Sequence, residues 1–122
     1  MARKRILVAD DNSIIRKMLS RMFASHATLE ICDEATNGAE AVEMAAKVRP
    51  HLVILDLSMP VMNGIEAAAR ISKMYPGLPI ILFTQHSETF YAMLQSAPGI
   101  RRVVSKEKAD TLVGHAEEFA TA

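Results

Sequence analysis

The stretch LVILDLSMPVMNG, Leu52–Gly64, decides the fold of this chain. It opens with four consecutive aliphatic residues, Leu52–Leu55, and Asp56 follows at once. A short apolar run without polar alternation is typical of a strand that is buried on both faces, as in a parallel sheet. Asn63 and Gly64 then precede a segment with helical spacing. The stretch therefore predicts a buried strand, a loop that begins with an acidic residue, and a helix.

The same strand-then-helix pattern continues on both sides of this stretch. Further β-branched or aliphatic runs occur at Ile6–Ala9, Leu29–Cys32, Ile80–Phe83 and Val103–Val104. Apolar residues at steps of three and four lie between or after these runs, at 15–23, 41–46, 65–72, 90–97 and 112–120. Strands that alternate with helices predict a parallel sheet with right-handed crossovers and helices on both faces. We therefore predict an α/β fold, a doubly wound (βα)5 three-layer α/β/α sandwich, as one domain over residues 1–122.

Composition excludes several classes of partner and location. The chain has 122 residues, with 14 Lys and Arg against 14 Asp and Glu, so its formal net charge is zero. Binding to nucleic acid or to an anionic membrane without sequence preference needs excess cations, so neither is an expected partner. No run approaches the roughly 18 apolar residues of a membrane span, and Ile6–Ala9 is too short for a secretory signal. We expect a cytoplasmic protein, and the single cysteine, Cys32, excludes a disulfide within the chain.

Polar side chains follow four of the predicted strands. Asp10 and Asp11 come after the first strand, Asp56 after the third, Thr84 after the fourth, and the fifth leads to Lys106. Ligands of open α/β sheets bind beyond the carboxyl ends of the strands. A lone aspartate there is usually a turn or cap residue, but three carboxylates at one edge would repel each other. The cluster favours a bound cation, and oxygen ligands suit Mg²⁺ or Mn²⁺ better than zinc.

This set of side chains fits phosphoryl transfer to a carboxylate. A carboxylate such as Asp56 can act as a nucleophile and form an aspartyl-phosphate, while Asp10 and Asp11 hold the metal ion. Lys106 would pair with a phosphate oxygen as a point charge, and the Thr84 hydroxyl would donate a hydrogen bond to another. Each polar residue of the set then has a role.

Four motifs carry a resemblance to a known family: VADDN at 8–12, LVILDLSMPVMNG at 52–64, ILFT at 81–84 and VVSK at 103–106. Over its whole length the chain resembles the receiver domain of two-component response regulators. The resemblance implies a flavodoxin-like sheet with strand order 2-1-3-4-5 and a phosphorylation-switched signalling module, not a metabolic enzyme. The five βα units use all 122 residues, so we expect a single-domain regulator if the native chain stops at Ala122.

The resemblance also implies individual roles. Asp56 would be the phospho-acceptor, Asp11 and Asp56 would bind Mg²⁺ through their side chains, Asp10 would assist through water, and Ser58 would contribute its backbone carbonyl. The remaining two residues, Thr84 and Lys106, would contact the phosphoryl oxygens. A histidine kinase or histidine phosphotransfer protein would donate the phosphoryl group. A downstream protein or output domain would recognise the face of the fourth helix, fifth strand and fifth helix, which is also a possible homodimer surface.

The sequence departs from the usual pattern of the family near the site. Val103 stands where the family often has Tyr or Phe, and a valine cannot fill or vacate a slot of the size of an aromatic ring. Gln85 stands where Ala or Gly is usual, and its bulk would narrow access to Asp56. His86 follows Gln85 and is either an exposed loop residue or one that tunes hydrolysis of the phosphoryl group.

Three other functions compete with this interpretation. A small Mg²⁺-dependent phosphatase with an aspartyl nucleophile commonly has a second Asp two residues on, as acid–base group, but that position holds Ser58. A flavodoxin-like cofactor binder needs a phosphate loop at the first helix, where Asp10 and Asp11 would repel a bare phosphate. A degenerate receiver that serves only as a docking surface is disfavoured by the intact polar set.

Overall fold

The computed structural model describes residues 2–85 and 91–120. Along the chain, its elements are β1 (Lys4–Ala9), α1 (Ser13–Ala24), β2 (Leu29–Ala35), α2 (Gly38–Val48), β3 (Leu52–Leu55), α3 (Gly64–Met74), β4 (Ile80–Thr84), α4 (Tyr91–Gln95), β5 (Ile100–Ser105) and α5 (Leu112–Ala120). A 3-10 turn, Lys106–Thr111, joins β5 to α5. His86 and the first residue of the helical segment predicted over 90–97 lie outside the described residues.

All five strands are parallel and lie in the order β2-β1-β3-β4-β5, which confirms the predicted fold. The apolar runs locate every strand, and β3 has the predicted bounds. The strand β5 begins three residues before the predicted run because Arg101 and Arg102 interrupt its apolar pattern. An edge strand tolerates such polar side chains, since one of its sides is open to solvent.

Two apolar layers cover the sheet, one on each face. Leu7, Ala9, Val53 and Leu55 face the layer that α2, α3 and α4 complete. The alternate residues of the same strands face the layer completed by α1 and α5, a group that includes Ile6, Val8, Leu52 and Ile54. The side-chain period of two in a strand produces this division, and burial on both faces explains the continuous apolar runs. Within the described ranges, no helix is long and apolar enough to cross a membrane.

Asparagine residues begin three of the helices at the carboxyl edge of the sheet. The side chain of Asn12 accepts hydrogen bonds from the first turn of α1, and Asn37 and Asn63 do the same for α2 and α3. Such caps satisfy backbone N–H groups that have no partner within the helix. The loops before α1 and α2 are short, whereas the loop between β3 and α3 is longer and contains Ser58.

Candidate functional site

The carboxyl ends of the strands bring the predicted polar residues together. They line one cavity of about 200 Å³, whose walls are Asp10, Asp11, Asn12, Asp56, Ser58, Thr84, Gln85 and Lys106. Each residue that the sequence singled out for this site is in that set. Asn12 and Gln85 complete the walls, and Gln85 is exposed.

Backbone hydrogen bonds fix the position of the two buried carboxylates. The N–H of Asp56 donates to the carbonyl of Ala9 at 2.9 Å, and the N–H of Asp10 donates to the carbonyl of Ala35 at 3.0 Å. The parallel ladder therefore continues one residue past the ends of β1 and β3. Both aspartates are buried, so rigid neighbouring strands determine their separation.

Lys106 lies between the two buried carboxylates. Its Nζ is 2.7 Å from Oδ2 of Asp10 and 3.4 Å from Oδ1 of Asp56, and its side chain is only 9% exposed. The ammonium also sits 5.9 Å from the centroid of the Phe83 ring. The other oxygen of Asp10 accepts a hydrogen bond from the N–H of Asn12 at 2.9 Å. Both oxygens of Asp10 are thus engaged in this structure.

Burial raises the pKa of the Asp56 carboxyl above its ordinary value, and the nearby Asp10 carboxylate raises it further. Lys106 and a backbone hydrogen bond at Leu57 oppose the shift without cancelling it. The ionised form of Asp56 is therefore held at a cost, because one ammonium faces more than one carboxylate in a poorly hydrated place. A further cation would lower that cost.

The raised pKa leads to a prediction for stability. A carboxyl whose pKa is raised on folding contributes stability that is complete below its unfolded pKa, about 3.8, and is lost as the pH rises through the folded pKa. We therefore expect Asp56→Asn to be more stable than the wild type at pH 7, and the difference to shrink as the pH falls toward 4. Urea unfolding in the presence of a chelator measures the free energy of unfolding of the wild type and of the variant at pH 7 and near pH 4.

The exposed Asp110→Asn serves as the control for this comparison and should match the wild type at both pH values. An Asp56→Asn variant that is less stable than the wild type at pH 7 would contradict the assignment of Asp56 as a costly buried charge.

Three carboxylates form a group that fits a divalent cation. One oxygen from each of Asp10, Asp11 and Asp56 lies within 4.8 Å of the others. Oxygen ligands of this kind, with space for water, suit Mg²⁺. Asp11 is exposed, which leaves an entry path from solvent. The donor set and the raised pKa of Asp56 both fit a resident divalent cation at this position.

Lys106 and a divalent cation should compete for the same carboxylates, because both are attracted to Asp10 and Asp56. Replacement by the uncharged Lys106→Met removes the competitor. We expect it to tighten Mg²⁺ binding roughly tenfold. Isothermal titration calorimetry measures this change in affinity.

The neighbouring exposed Lys108→Met is the matched control, because its charge is removed two residues away from the site. Weaker Mg²⁺ binding in Lys106→Met than in Lys108→Met would contradict the competition.

Two residues at the site were not singled out from the sequence. The Arg16 side chain donates from Nη1 to the carbonyl of Asp10 at 2.7 Å, and its Nε lies 3.2 Å from Glu34. The Phe83 ring lies near the Lys106 ammonium, with which it can make a cation–π contact. An arginine in the first turns of a helix usually faces solvent, and a phenylalanine in an apolar run is usually a core residue. The sequence pattern therefore did not assign either residue to the site. The nearest hint for Arg16 is its place one helical turn after the Asn12 cap.

The loop between β3 and α3 contains a tight turn. The N–H of Met62 donates to the carbonyl of Pro60 at 2.7 Å, and Val61 between them has a φ of 69°. This is the rarer form of the three-residue γ-turn. The carbonyl of Met62 then accepts from the N–H of Gly38 at 3.0 Å, so the loop that carries Ser58 is attached to the start of α2.

Known proteins resemble this chain in sequence and in fold. The response regulator receiver domain family matches residues 6–117. A protein-glutamate methylesterase/protein-glutamine glutaminase of Pyrococcus abyssi is 46% identical over 80 residues, which are 66% of this chain and 22% of that protein. An uncharacterized transcriptional regulatory protein of Bacillus subtilis, YhcZ, is 38% identical over 84 residues, which are 69% of this chain and 39% of that protein.

Solved structures of response regulators have the same fold as this chain. The response regulator domain of Thermotoga maritima CheB superposes with a TM-score of 0.89 at 26% identity, and the match covers 98% of each chain. A LuxR-family response regulator of Aurantimonas gives a TM-score of 0.90 at 26% identity, covering 98% of this chain and 86% of that one. The chain spans about a quarter or less of the methylesterases that it matches. With its parallel sheet and its acidic edge, the chain belongs to the response regulator receiver domain family, the signalling modules of two-component systems.

Proposed function

We propose that Asp56 accepts a phosphoryl group from a histidine kinase or a histidine phosphotransfer protein. The observation that carries this proposal is the geometry of Asp56, a buried carboxylate at the wall of an open cavity, with other carboxylates on one side and the Lys106 ammonium 3.4 Å away. We also propose that residues 1–122 form one receiver domain, which acts in the cytoplasm.

In the proposed step, an Oδ atom of Asp56 attacks phosphorus of the donor phosphohistidine. A P–O bond forms, the P–N bond breaks, and its electron pair stays on the imidazole nitrogen of the donor. Asp11 and Asp56 would hold Mg²⁺ through their side chains, with Asp10 through water and Ser58 through its backbone carbonyl. When bound, Mg²⁺ shields the charge between the carboxylate and the phosphoryl oxygens.

Lys106 and Thr84 would bind the transferred group. The Lys106 ammonium already lies beside the acceptor, so a small movement of its flexible stem suffices for pairing with a phosphoryl oxygen. Thr84 is the last residue of β4 and lines the same cavity, and its hydroxyl would donate to another oxygen. These contacts position and stabilise the group, which is most of what phosphoryl transfer requires.

The chain would signal through its surface. We propose that phosphorylation changes the face formed by α4, β5 and α5, which a downstream protein or an output domain recognises. The module performs no turnover on other molecules in this proposal. Methylesterase activity belongs to the relatives that carry that name, whose length lies mostly outside the match.

Incubation with Mg²⁺ and acetyl phosphate tests the proposal, because a small phosphodonor supplies the group without the unknown kinase. We expect intact mass spectrometry to show one added phosphoryl group, which is absent in the presence of a chelator. A folded chain that gains none under these conditions contradicts the proposal. The alternative of an aspartyl phosphatase is not favoured by the family; sustained phosphate release from a simple phosphomonoester would revive it.

A further inference from the structure

One side chain ties the end of α4 to the outer edge of the sheet. Gln95 is the last residue of α4, and its Nε2 donates a hydrogen bond to the carbonyl of Arg101 at 2.9 Å. The N–H of Val103 donates to Oε1 of the same side chain at 3.0 Å. Since β4 is the one described strand that pairs with β5, these two groups of β5 point to its open side.

The two contacts occur where the ladder between β4 and β5 is irregular. The pairing passes from Ile80 with Ile100 to Ile81 with Arg102, so Arg101 is an additional residue in β5. A residue of this kind leaves the regular ladder locally, and its backbone groups need other partners. The Gln95 carboxamide supplies a donor to Arg101 and an acceptor to Val103, as a neighbouring strand would.

The described part of α4 is short. Its five residues, Tyr91–Gln95, are fewer than the dozen or so that an isolated helix needs for stability. Leu94 is its buried residue, whereas Tyr91 is 42% and Met93 is 63% exposed. The two hydrogen bonds of Gln95 are directional contacts that fix the end of α4 against one place on β5.

The other end of β5 reaches the phosphorylation site. Ser105 pairs with Thr84 in the ladder, and Lys106 follows Ser105. Val103 lies in the same strand, is 6% exposed, and has a short β-branched side chain with restricted rotamers. A residue of this shape cannot transmit a signal by swinging a long side chain. Its side chain belongs to the same apolar cluster as Leu94 of α4, and its backbone N–H, which donates to Gln95, adds a directional link between β5 and α4.

We propose that Gln95 is the positioning residue that couples α4 to β5. Through its bonds to Arg101 and Val103, a displacement of β5 that begins at Thr84 and Lys106 reaches α4 through the backbone. This inference rests on the proposed function, because phosphorylation of Asp56 supplies the displacement. The output face then changes by loss or shift of the Gln95 contacts.

Amide hydrogen exchange of Val103 tests the coupling in the ¹⁵N-labelled chain, with and without Mg²⁺ and acetyl phosphate. In the unphosphorylated wild type we expect a protected Val103 amide, and in Gln95→Met, which keeps the length but loses both polar groups, exchange roughly tenfold faster. Gln95→Glu keeps an acceptor for Val103 but replaces the donor to Arg101 by a second oxygen, so its exchange rate should lie between those of the wild type and Gln95→Met. The amide of Val104, which pairs with Phe83 in the ladder, is the internal control and should not change.

Phosphorylation is followed by intact mass on the same samples. In the wild type it should change the exchange rate of the Val103 amide by roughly tenfold, whereas in Gln95→Met the rate should stay fast in both states although Asp56 is modified to the same extent. The coupling alone is overturned if the Val103 amide exchanges at the same rate in Gln95→Met as in the wild type. It is also overturned if phosphorylation of the wild type leaves that exchange rate unchanged. A wild type that gains no phosphoryl group overturns the proposed function, and the coupling with it.

Discussion

Asp56→Asn is expected to abolish phosphoryl uptake from acetyl phosphate in the presence of Mg²⁺. The amide has nearly the shape of the carboxyl, but its nitrogen and its neutral carbonyl oxygen are much poorer nucleophiles than a carboxylate. The buried position at the end of β3 should keep the fold, because the removed charge is one that burial already disfavours. Intact mass spectrometry after a fixed incubation should show no phosphorylated species.

A variant of Asp11, with a control at Asp110, distinguishes the phospho-acceptor from the carboxylates that would bind the cation. Asp11→Asn keeps the acceptor and removes an exposed oxygen of the cation group, so we expect uptake that is slower and needs more Mg²⁺. Asp110→Asn removes an exposed acid in the 3-10 turn and should behave as the wild type. A phosphoryl group found on Asp56→Asn at the wild-type rate would place the acceptor elsewhere and refute the assignment.

Local sequence signals were sufficient for most of the fold because both faces of the sheet are buried. A strand such as Leu52–Leu55 must then be apolar throughout, which makes it visible. The signal weakens at the edge, where β5 carries Arg101 and Arg102 and begins earlier than its apolar pair suggests. The 3-10 turn Lys106–Thr111 has no buried residue, so no apolar period indicates it.

The composition of the site was predictable, whereas its supporting contacts were not. Strand ends in a parallel sheet share one edge, which places Asp10, Asp56 and Lys106 together from topology alone. The bond from Arg16 to the carbonyl of Asp10 and that from Gln95 to β5 join residues whose spacing follows no helix or strand period. Such contacts depend on the packed positions of whole elements, which short-range patterns do not encode.

The net charge of zero likewise hides an uneven distribution. Three carboxylates meet at one edge of the sheet, with Lys106 inserted between two of them. The resulting cost of ionised Asp56 is a local property that a residue count cannot reveal. The same local excess of negative charge favours a cation at this edge of the sheet.

Gly64→Ala is expected to damage the fold and the site together. A Cβ at residue 64 would lie 2.2 Å from the backbone carbonyl oxygen of Asp56 and 3.0 Å from its carbon. Backbone atoms at the end of a buried strand cannot turn aside as a flexible side chain would, so α3 and β3 must separate. We expect a loss of about 3 kcal/mol or more in the free energy of unfolding, measured by urea titration with circular dichroism.

The same variant should take up phosphoryl groups roughly a hundredfold more slowly under conditions where it is folded, because a displacement of Asp56 by about 1 Å spoils the approach to phosphorus. Gly114→Ala is the matched control: outside its chain neighbours and the backbone of α5 itself, no atom of the described structure lies within 4 Å of the added Cβ. Alanine is the better helix former by about 1 kcal/mol, so that variant should be as stable as the wild type or more so. If Gly64→Ala unfolds at the same urea concentration as Gly114→Ala, then the close approach of α3 to the Asp56 carbonyl does not hold the acceptor in place.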